Sequence, residues 1–373
     1  MISPHQYTDP QRYGTEITEL FSDAWIFVGL RLELKELSHQ GVQVGGTSLL
    51  LQCDSRGTPR AYLNVCSHRH AQLCEPGKHA GAVRCPYHGW VYDREGVPVG
   101  IPQKQAFPQV VANPKAFRLT EFSCEAAGQF IFVRLATEGA NLRDYLGNQY
   151  DFLVRASLGM AGVQDEFRKG VAANWKVVIE NSLEGYHVPN VHSNTLMQAD
   201  GMGREEAAPQ FFLQDPLHSC LEHTANSDWV KRFDRMASKI GQWPWRFEHY
   251  THHFIFPNLT VTSFMGYSFH VQVFEPTAVN LTTVHSRTVG VEFTNATAVG
   301  AKMMEHIYAD SHAFTRKVFD EDAGICRKVQ AGLENATYLA VLAERLEDRV
   351  RHFQSAYVSS KQQLTERLQQ NFS

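Results

Sequence analysis

Two short stretches carry residue types that can do chemistry together. Cys66-Ser67-His68 and Cys85-Pro86-Tyr87-His88 are separated by sixteen residues and together supply two thiolates and two imidazoles. Such a set can hold one tetrahedral zinc, or a [2Fe–2S] cluster in which two histidines replace two cysteines on one iron. Each pair follows a short β run, so each loop would give one sulfur and one nitrogen. Structural zinc ribbons usually draw two cysteines from one clip, whereas these clips are mixed, and the mixture favours the cluster. Pro86 stiffens the second loop, and Gly89 lets the backbone come close to an inorganic sulfide.

The second stretch is Glu180-Asn181-Ser182-Leu183-Glu184-Gly185-Tyr186-His187-Val188-Pro189-Asn190-Val191-His192. On an ideal helix His187 and His192 point about 140° apart. They converge only if the helix breaks between them, and Pro189, which disfavours helical geometry at Val188, is expected to supply the break. Glu184 lies three residues before His187, within reach of its ring. Two neutral imidazoles and one carboxylate make a facial triad for Fe(II) with positions left open. Glu184 is better placed to orient His187 than to complete the triad, so the carboxylate must come from elsewhere, and Asp320-Glu321-Asp322 is the candidate run.

The elements that must position these residues fall into two textures. Residues 9–25 have helical spacing, through Tyr13, Ile17, Leu20, Phe21 and Trp25. Residues 42–44, 48–52, 61–65, 83–85, 90–92 and 129–134 read as short strands between turns. From residue 151 helices and alternating strands mix: helix over 174–184, strands at 254–264, 268–275 and 282–293, and helices over 298–333 and 338–357. The expected fold class is α+β. Residues 1–40 form a lead-in helix packing on the catalytic domain, 41–150 an all-β cluster domain inserted near the N-terminus, and 151–373 a curved antiparallel sheet covered by helices.

Composition narrows the partners. The net charge of −4 gives no footprint for nucleic acid or an anionic membrane. No run of about eighteen apolar residues predicts a membrane helix. The first residues have no secretion-signal pattern, and the odd count of seven cysteines is not a disulfide scaffold, so a cytoplasmic protein is expected.

The clips Cys66-Ser67-His68-Arg69 and Cys85-Pro86-Tyr87-His88-Gly89-Trp90 resemble the Rieske iron–sulfur signature. Asn174-Trp175-Lys176, the Glu-Asn-x-x-Glu-x-Tyr-His-x-x-x-x-His run and Glu321-Asp322-x-x-Ile325-Cys326-x-x-Val329-Gln330-x-Gly332 resemble the catalytic α subunits of Rieske non-haem iron oxygenases. The resemblance covers nearly the whole chain. It implies Cys66 and Cys85 on one iron, His68 and His88 on the other, and a mononuclear Fe(II) on His187, His192 and Asp322, with Asp320 the alternative register. It implies that Glu184 bridges His187 to a cluster histidine of a neighbouring subunit, in a homotrimer. Asn181 would sit beside the iron, or else act as a helix-capping or core amide. Ala71 stands where high-potential Rieske proteins have a disulfide cysteine, and His70 where the oxygenases usually have Gly.

Function follows as an expectation: a terminal oxygenase taking O2 and electrons to hydroxylate a small aromatic substrate. Demethylation or monooxygenation of a quaternary ammonium or N-methyl compound is the alternative, and a Rieske electron carrier is the alternative of another class. No Gly-x-Gly-x-x-Gly follows a strand and no plant-type ferredoxin cysteine run is present, so NAD(P)H would act through a separate reductase, with or without a ferredoxin. Phe211, Phe212, Phe254, Phe256, Phe264 and Phe269 are candidates for an apolar substrate pocket. His249-Tyr250-Thr251-His252-His253 reads as a loop entering a strand with exposed imidazoles.

Overall fold

The computed structural model describes residues 1–34, 37–198, 210–212, 215–223, 227–243, 245, 247 and 249–371. Contacts divide the chain into two compact units, Ile17–Tyr145 and Met1–Glu16 joined with Leu146–Ser373. The fold is α+β, as expected. The division falls at 16/17 and 145/146, where the sequence pattern placed 40/41 and 150/151.

The unit Ile17–Tyr145 is built on a seven-stranded sheet in the order Ile26–Leu30, Phe130–Arg134, Glu121–Ala127, Pro59–Leu63, Thr47–Cys53, Ser38–Val44 and Gly77–Ala80. A small three-stranded sheet, Val83–Arg84, Val91–Tyr92 and Pro98–Gly100, completes it. The first strand corrects the expectation of residues 1–40 as a lead-in helix alone, although the helix expected over 9–25 is present. That helix ends at Asp23, and Ile26–Leu30 pairs with Phe130–Arg134. Both strands are buried at every position, so their apolar side chains run on without the alternation that marks a half-buried strand.

The other unit carries seven antiparallel strands in the order Met160–Val171, Leu281–Val291, Ser268–Ala278, Leu259–Phe264, Tyr250–Ile255, Ser219–His223 and Gln210–Phe212. Helices Trp175–Leu183, Ala298–Leu333 and Asp348–Asn371 pack with it. The last helix starts ten residues later than the pattern over 338–357 suggested. Arg345 takes a left-handed φ of 65°, and its N–H and that of Ala343 are held by the Asp348 and Glu347 carboxylates, which start the helix there.

A buried ion pair ties the N-terminal segment to this unit. Lys176 and Glu16 are both fully buried, with Lys176 Nζ at 2.9 and 2.7 Å from the two Glu16 oxygens. Trp175 Nε1 donates to Glu16 at 2.9 Å, and the Tyr357 hydroxyl also donates to it. Tyr7 and Gln354 donate to Glu180 at 2.7 and 3.0 Å. The Trp175–Leu183 helix, which leads into the histidine run, is thereby held from both termini of the chain.

Candidate metal centres

The two cysteine–histidine loops are the same turn used twice. His70 N donates to Cys66 O and Gly89 N to Cys85 O, both at 3.0 Å. Cys66 N donates to Ala71 O at 2.8 Å and Cys85 N to Trp90 O at 2.7 Å. Gly89 has φ 72° and His70 has φ 60°, so His70 adopts the left-handed conformation at the position where Gly was expected, with its imidazole exposed. Histidine tolerates that region better than most residues.

Four side chains meet beneath these turns. Cys66 and Cys85 are buried, and burial pushes the Cys66 thiol up, although the Tyr92 hydroxyl 3.1 Å away counters this; the neighbouring Cys85 thiol adds to the rise. The His68 and His88 rings lie 4.6 Å apart, and His68 stacks on Trp90 at 4.9 Å. Burial, His88 and Arg69 keep His68 neutral. Nδ1 of both histidines is buried without a hydrogen-bond partner. Two adjacent orphaned ring nitrogens are costly unless a cation takes their lone pairs. Thiol beside thiol and imidazole beside imidazole is the sorting that a [2Fe–2S] group with Cys on one iron and His on the other needs. Arg69 and the exposed Tyr87 join the two loop tips, Arg69 Nη1 donating to the Tyr87 hydroxyl at 3.2 Å.

In the other unit the helix Trp175–Leu183 is capped by Asn174, whose side chain accepts from Lys176 N. Glu184 then turns extended, and a one-turn helix Val188–Val191 follows, with His187 and His192 as its caps. This corrects the expected break at Pro189. The break lies at Glu184-Gly185, and Pro189 sits in the first turn, where its missing N–H loses no bond. Leaving the helix at His192, with φ −106° and ψ 29°, brings the rings together. Their Nε2 atoms are 3.2 Å apart.

Asp322 of Ala298–Leu333 closes the triangle, its Oδ1 at 3.0 Å from His192 Nε2 and 3.5 Å from His187 Nε2. Ligand atoms at about 2.1 Å from one ion and at right angles are separated by about 3.0 Å, so these three edges fit three facial ligands. Asp320 points elsewhere, pairing with Lys169. Each histidine has its own carboxylate behind it. Glu184 Oε1 lies 2.5 Å from His187 Nδ1, and Glu184 Oε2 accepts from His187 N at 3.1 Å. Glu321 Oε2 lies 2.7 Å from His192 Nδ1 and accepts from Thr195 Oγ1 at 2.6 Å. A proton on each Nδ1 leaves the Nε2 lone pairs facing the centre. Burial works against a charged His187, yet Asp322 and Glu184 outweigh it and lift the ring to about 9; His187 and His192 draw Asp322 down against its own burial.

Sequence reasoning missed Glu321 and Thr195 as partners of His192. Glu321 was visible only as a neighbour of Asp322, and no spacing links it to residue 192. Asn181 is brought to the centre, its Nδ2 donating to Asp322 Oδ1 at 3.1 Å.

The aromatic candidates divide differently. Phe254 and Phe256 pack on Phe353, and Phe269 packs on Phe247, so these three belong to the core. The side chains of Phe211 and Phe212 lie outside the described residues. His252 and His253 are buried inside a strand rather than exposed, and burial, with the Arg349 charge, keeps both neutral. Alternation in a two-sided sheet buries both faces, which a solvated-loop reading cannot anticipate.

Residues 141–362 match the family profile described as Ring hydroxylating alpha subunit (catalytic domain), and residues 24–115 match Rieske [2Fe-2S] domain. The chain is 32% identical over 212 residues to the glycine betaine monooxygenase oxygenase subunit of Chromohalobacter salexigens, covering 55% of this chain and 46% of that protein. It is 25% identical over 357 residues to the chloroplastic choline monooxygenase of Amaranthus tricolor, covering 89% and 71%. The chain thus spans about half the length of the first of these in the matched region. Naphthalene 1,2-dioxygenase from Rhodococcus sp., solved with indole bound, superposes with a TM-score of 0.76 at 18% identity, covering 96% of this chain and 94% of that one, a likeness of fold.

Proposed function

The chain belongs to the ring-hydroxylating α-subunit family and carries a Rieske [2Fe–2S] domain, and from that premise we propose that it is a terminal oxygenase fed by a separate NAD(P)H-dependent reductase. The observation that carries this reading is the triangle of His187, His192 and Asp322, with an orienting carboxylate behind each imidazole. Iron held there would bind and activate O2, with electrons supplied through the cluster held by Cys66, His68, Cys85 and His88. Glu184 and Glu321 hold the two Nδ1 protons and so aim both Nε2 atoms inward. Asn181 places an N–H donor against the ligand face of Asp322.

Assembly is part of the proposal. In a homotrimer Glu184 would link His187 to a cluster histidine of the next copy, using carboxylate lone pairs that His187 leaves over. Tyr338 and Val341, 76% and 94% exposed, offer apolar surface for such packing.

For the substrate, a small quaternary ammonium or N-methyl compound is the reading best supported. The two curated relatives are named for glycine betaine and choline. Ring hydroxylation is the second reading, favoured by the description of the matching family.

The test is product formation by the protein loaded with both iron groups and supplied with a surrogate reductase. Formaldehyde from glycine betaine or choline supports oxidation at an N-methyl group. Hydroxylated product from an aromatic acid alone selects the second reading. A colourless protein that binds zinc and gives no reduced-state paramagnetic signal after iron-replete anaerobic purification overturns both. Oxygen uptake alone decides nothing, because poor substrates uncouple it from product.

A further inference from the structure

Asn181 stands beside the candidate iron ligands with two nearly isosteric ends, a donor nitrogen and an acceptor oxygen. Which end faces the ligands is set by what the other end meets. Here Oδ1 accepts from the Cys326 thiol at 3.0 Å, and Nδ2 donates to Asp322 Oδ1 at 3.1 Å, with His187 Nε2 at 3.4 Å. Cys326 is only 1% exposed, and it lies one helical turn after Asp322, on the same face of the long helix. Neither the N-cap at Asn174 nor the helix Trp175–Leu183 uses the Asn181 side chain for its own hydrogen bonds.

We propose that Cys326 is a positioning residue that holds the Asn181 amide with nitrogen inward, so that its oxygen cannot become an extra ligand at the metal position. This rests on the assignment of His187, His192 and Asp322 as ligands. Amide oxygen is a hard donor suited to a divalent cation, so the presence of a metal would favour turning the amide around. Turning it would exchange the thiol's donor contact for a weaker one in which the sulfur accepts from the NH2 group, and would break the donor contact to Asp322. The thiol opposes that rotation only while it carries its proton. Burial and the Asp322 charge keep the proton on it. An amide held this way leaves open the position that an Asn oxygen would otherwise close.

The test uses the full chain with its [2Fe–2S] cluster oxidised, and therefore EPR-silent, and with Co(II) as the probe at the mononuclear position. Wild type should bind one Co(II) in competition with a chelator and give a high-spin signal. In Cys326→Ala the signal should shift towards higher coordination number, and Cys326→Ser, which restores a donor, should return it to the wild-type form. Adding Asn181→Leu to Cys326→Ala should remove the shift, because no amide oxygen remains. Cys326→Val serves as a second apolar replacement if the alanine variant does not fold. A wild-type signal in the Ala or Val variant overturns the inference, as does a shift that survives Asn181→Leu. Failure of wild type to bind Co(II) instead overturns the ligand assignment beneath it.

Discussion

Glu321 and His192 meet from elements 129 positions apart in the chain, Oε2 to Nδ1 at 2.7 Å, while the adjacent Asp322 faces Nε2 of the same ring at 3.0 Å. Two consecutive residues of one helix therefore grip opposite edges of one imidazole. Replacing Glu321 by Gln should weaken Fe(II) binding about 10- to 100-fold, the usual cost of removing an orienting carboxylate. Thr195→Val, which removes only the donor to Glu321, should cost less. Chelator competition measures both, and an unchanged dissociation constant for Glu321→Gln would show that the contact orients nothing.

His187→Ala should leave the cluster spectrum intact and abolish product formation. Glu184→Gln keeps an acceptor for His187 Nδ1 but not the charge. It should retain both metals while slowing product formation by roughly 100-fold or more, the scale on which precise positioning is lost. Rapid mixing of reduced protein with substrate and O2 should then show the cluster staying reduced. Wild-type reoxidation would exclude a bridging role.

His70 should tolerate replacement by Gly better than Gly89 tolerates replacement by Ala. The left-handed φ at each position costs a residue with a Cβ about 1 kcal/mol or more. His70→Gly is thus expected to raise the temperature at which the cluster absorbance is lost, and Gly89→Ala to lower it. A lower midpoint for His70→Gly would mean that the exposed imidazole contributes something the local turn does not reveal.

The Glu16–Lys176 pair should be unforgiving to single substitution. Lys176→Met leaves a buried, unpaired carboxylate and should destabilise the Met1–Glu16 and Leu146–Ser373 unit by about 3–5 kcal/mol. Glu16→Leu combined with Lys176→Met should recover most of the loss, since neither charge then remains buried. Denaturant midpoints at a fixed pH compare the two variants with wild type.

Glu180 supplies a pH dependence. Burial pushes its carboxyl up to about 7, despite the hydrogen bonds from Tyr7 and Gln354 and the charge of Lys176. The folded state therefore keeps this proton over a range where the unfolded chain, with an ordinary value of 4.5, has released it. Its contribution to stability falls as pH rises from about 4.5 to about 7, by up to about 1.4 kcal/mol per pH unit. Glu180→Gln should flatten the stability profile in that window, and an unchanged slope would place the titration elsewhere.

The four candidate cluster residues and the candidate histidine pair were legible in the sequence because each Cys–His clip, and the histidine run, spans only a few positions, where spacing and turn chemistry decide geometry. Alternating and helical patterns likewise gave away an α+β chain with a β unit near its N-terminus. Long-range choices were not legible. Asp320 and Asp322 lie about 200° apart on one helix, and only packing against the sheet turns Asp322 to the histidines and Asp320 to Lys169. The same packing hands Glu321 to His192, sets Cys326 against Asn181, and sends Phe254 and Phe269 to opposite layers of core. Local spacing fixes what one turn can hold. Which distant side chain arrives to complete it depends on the rotation of whole helices about their axes, and that is settled by the burial of faces far from the site.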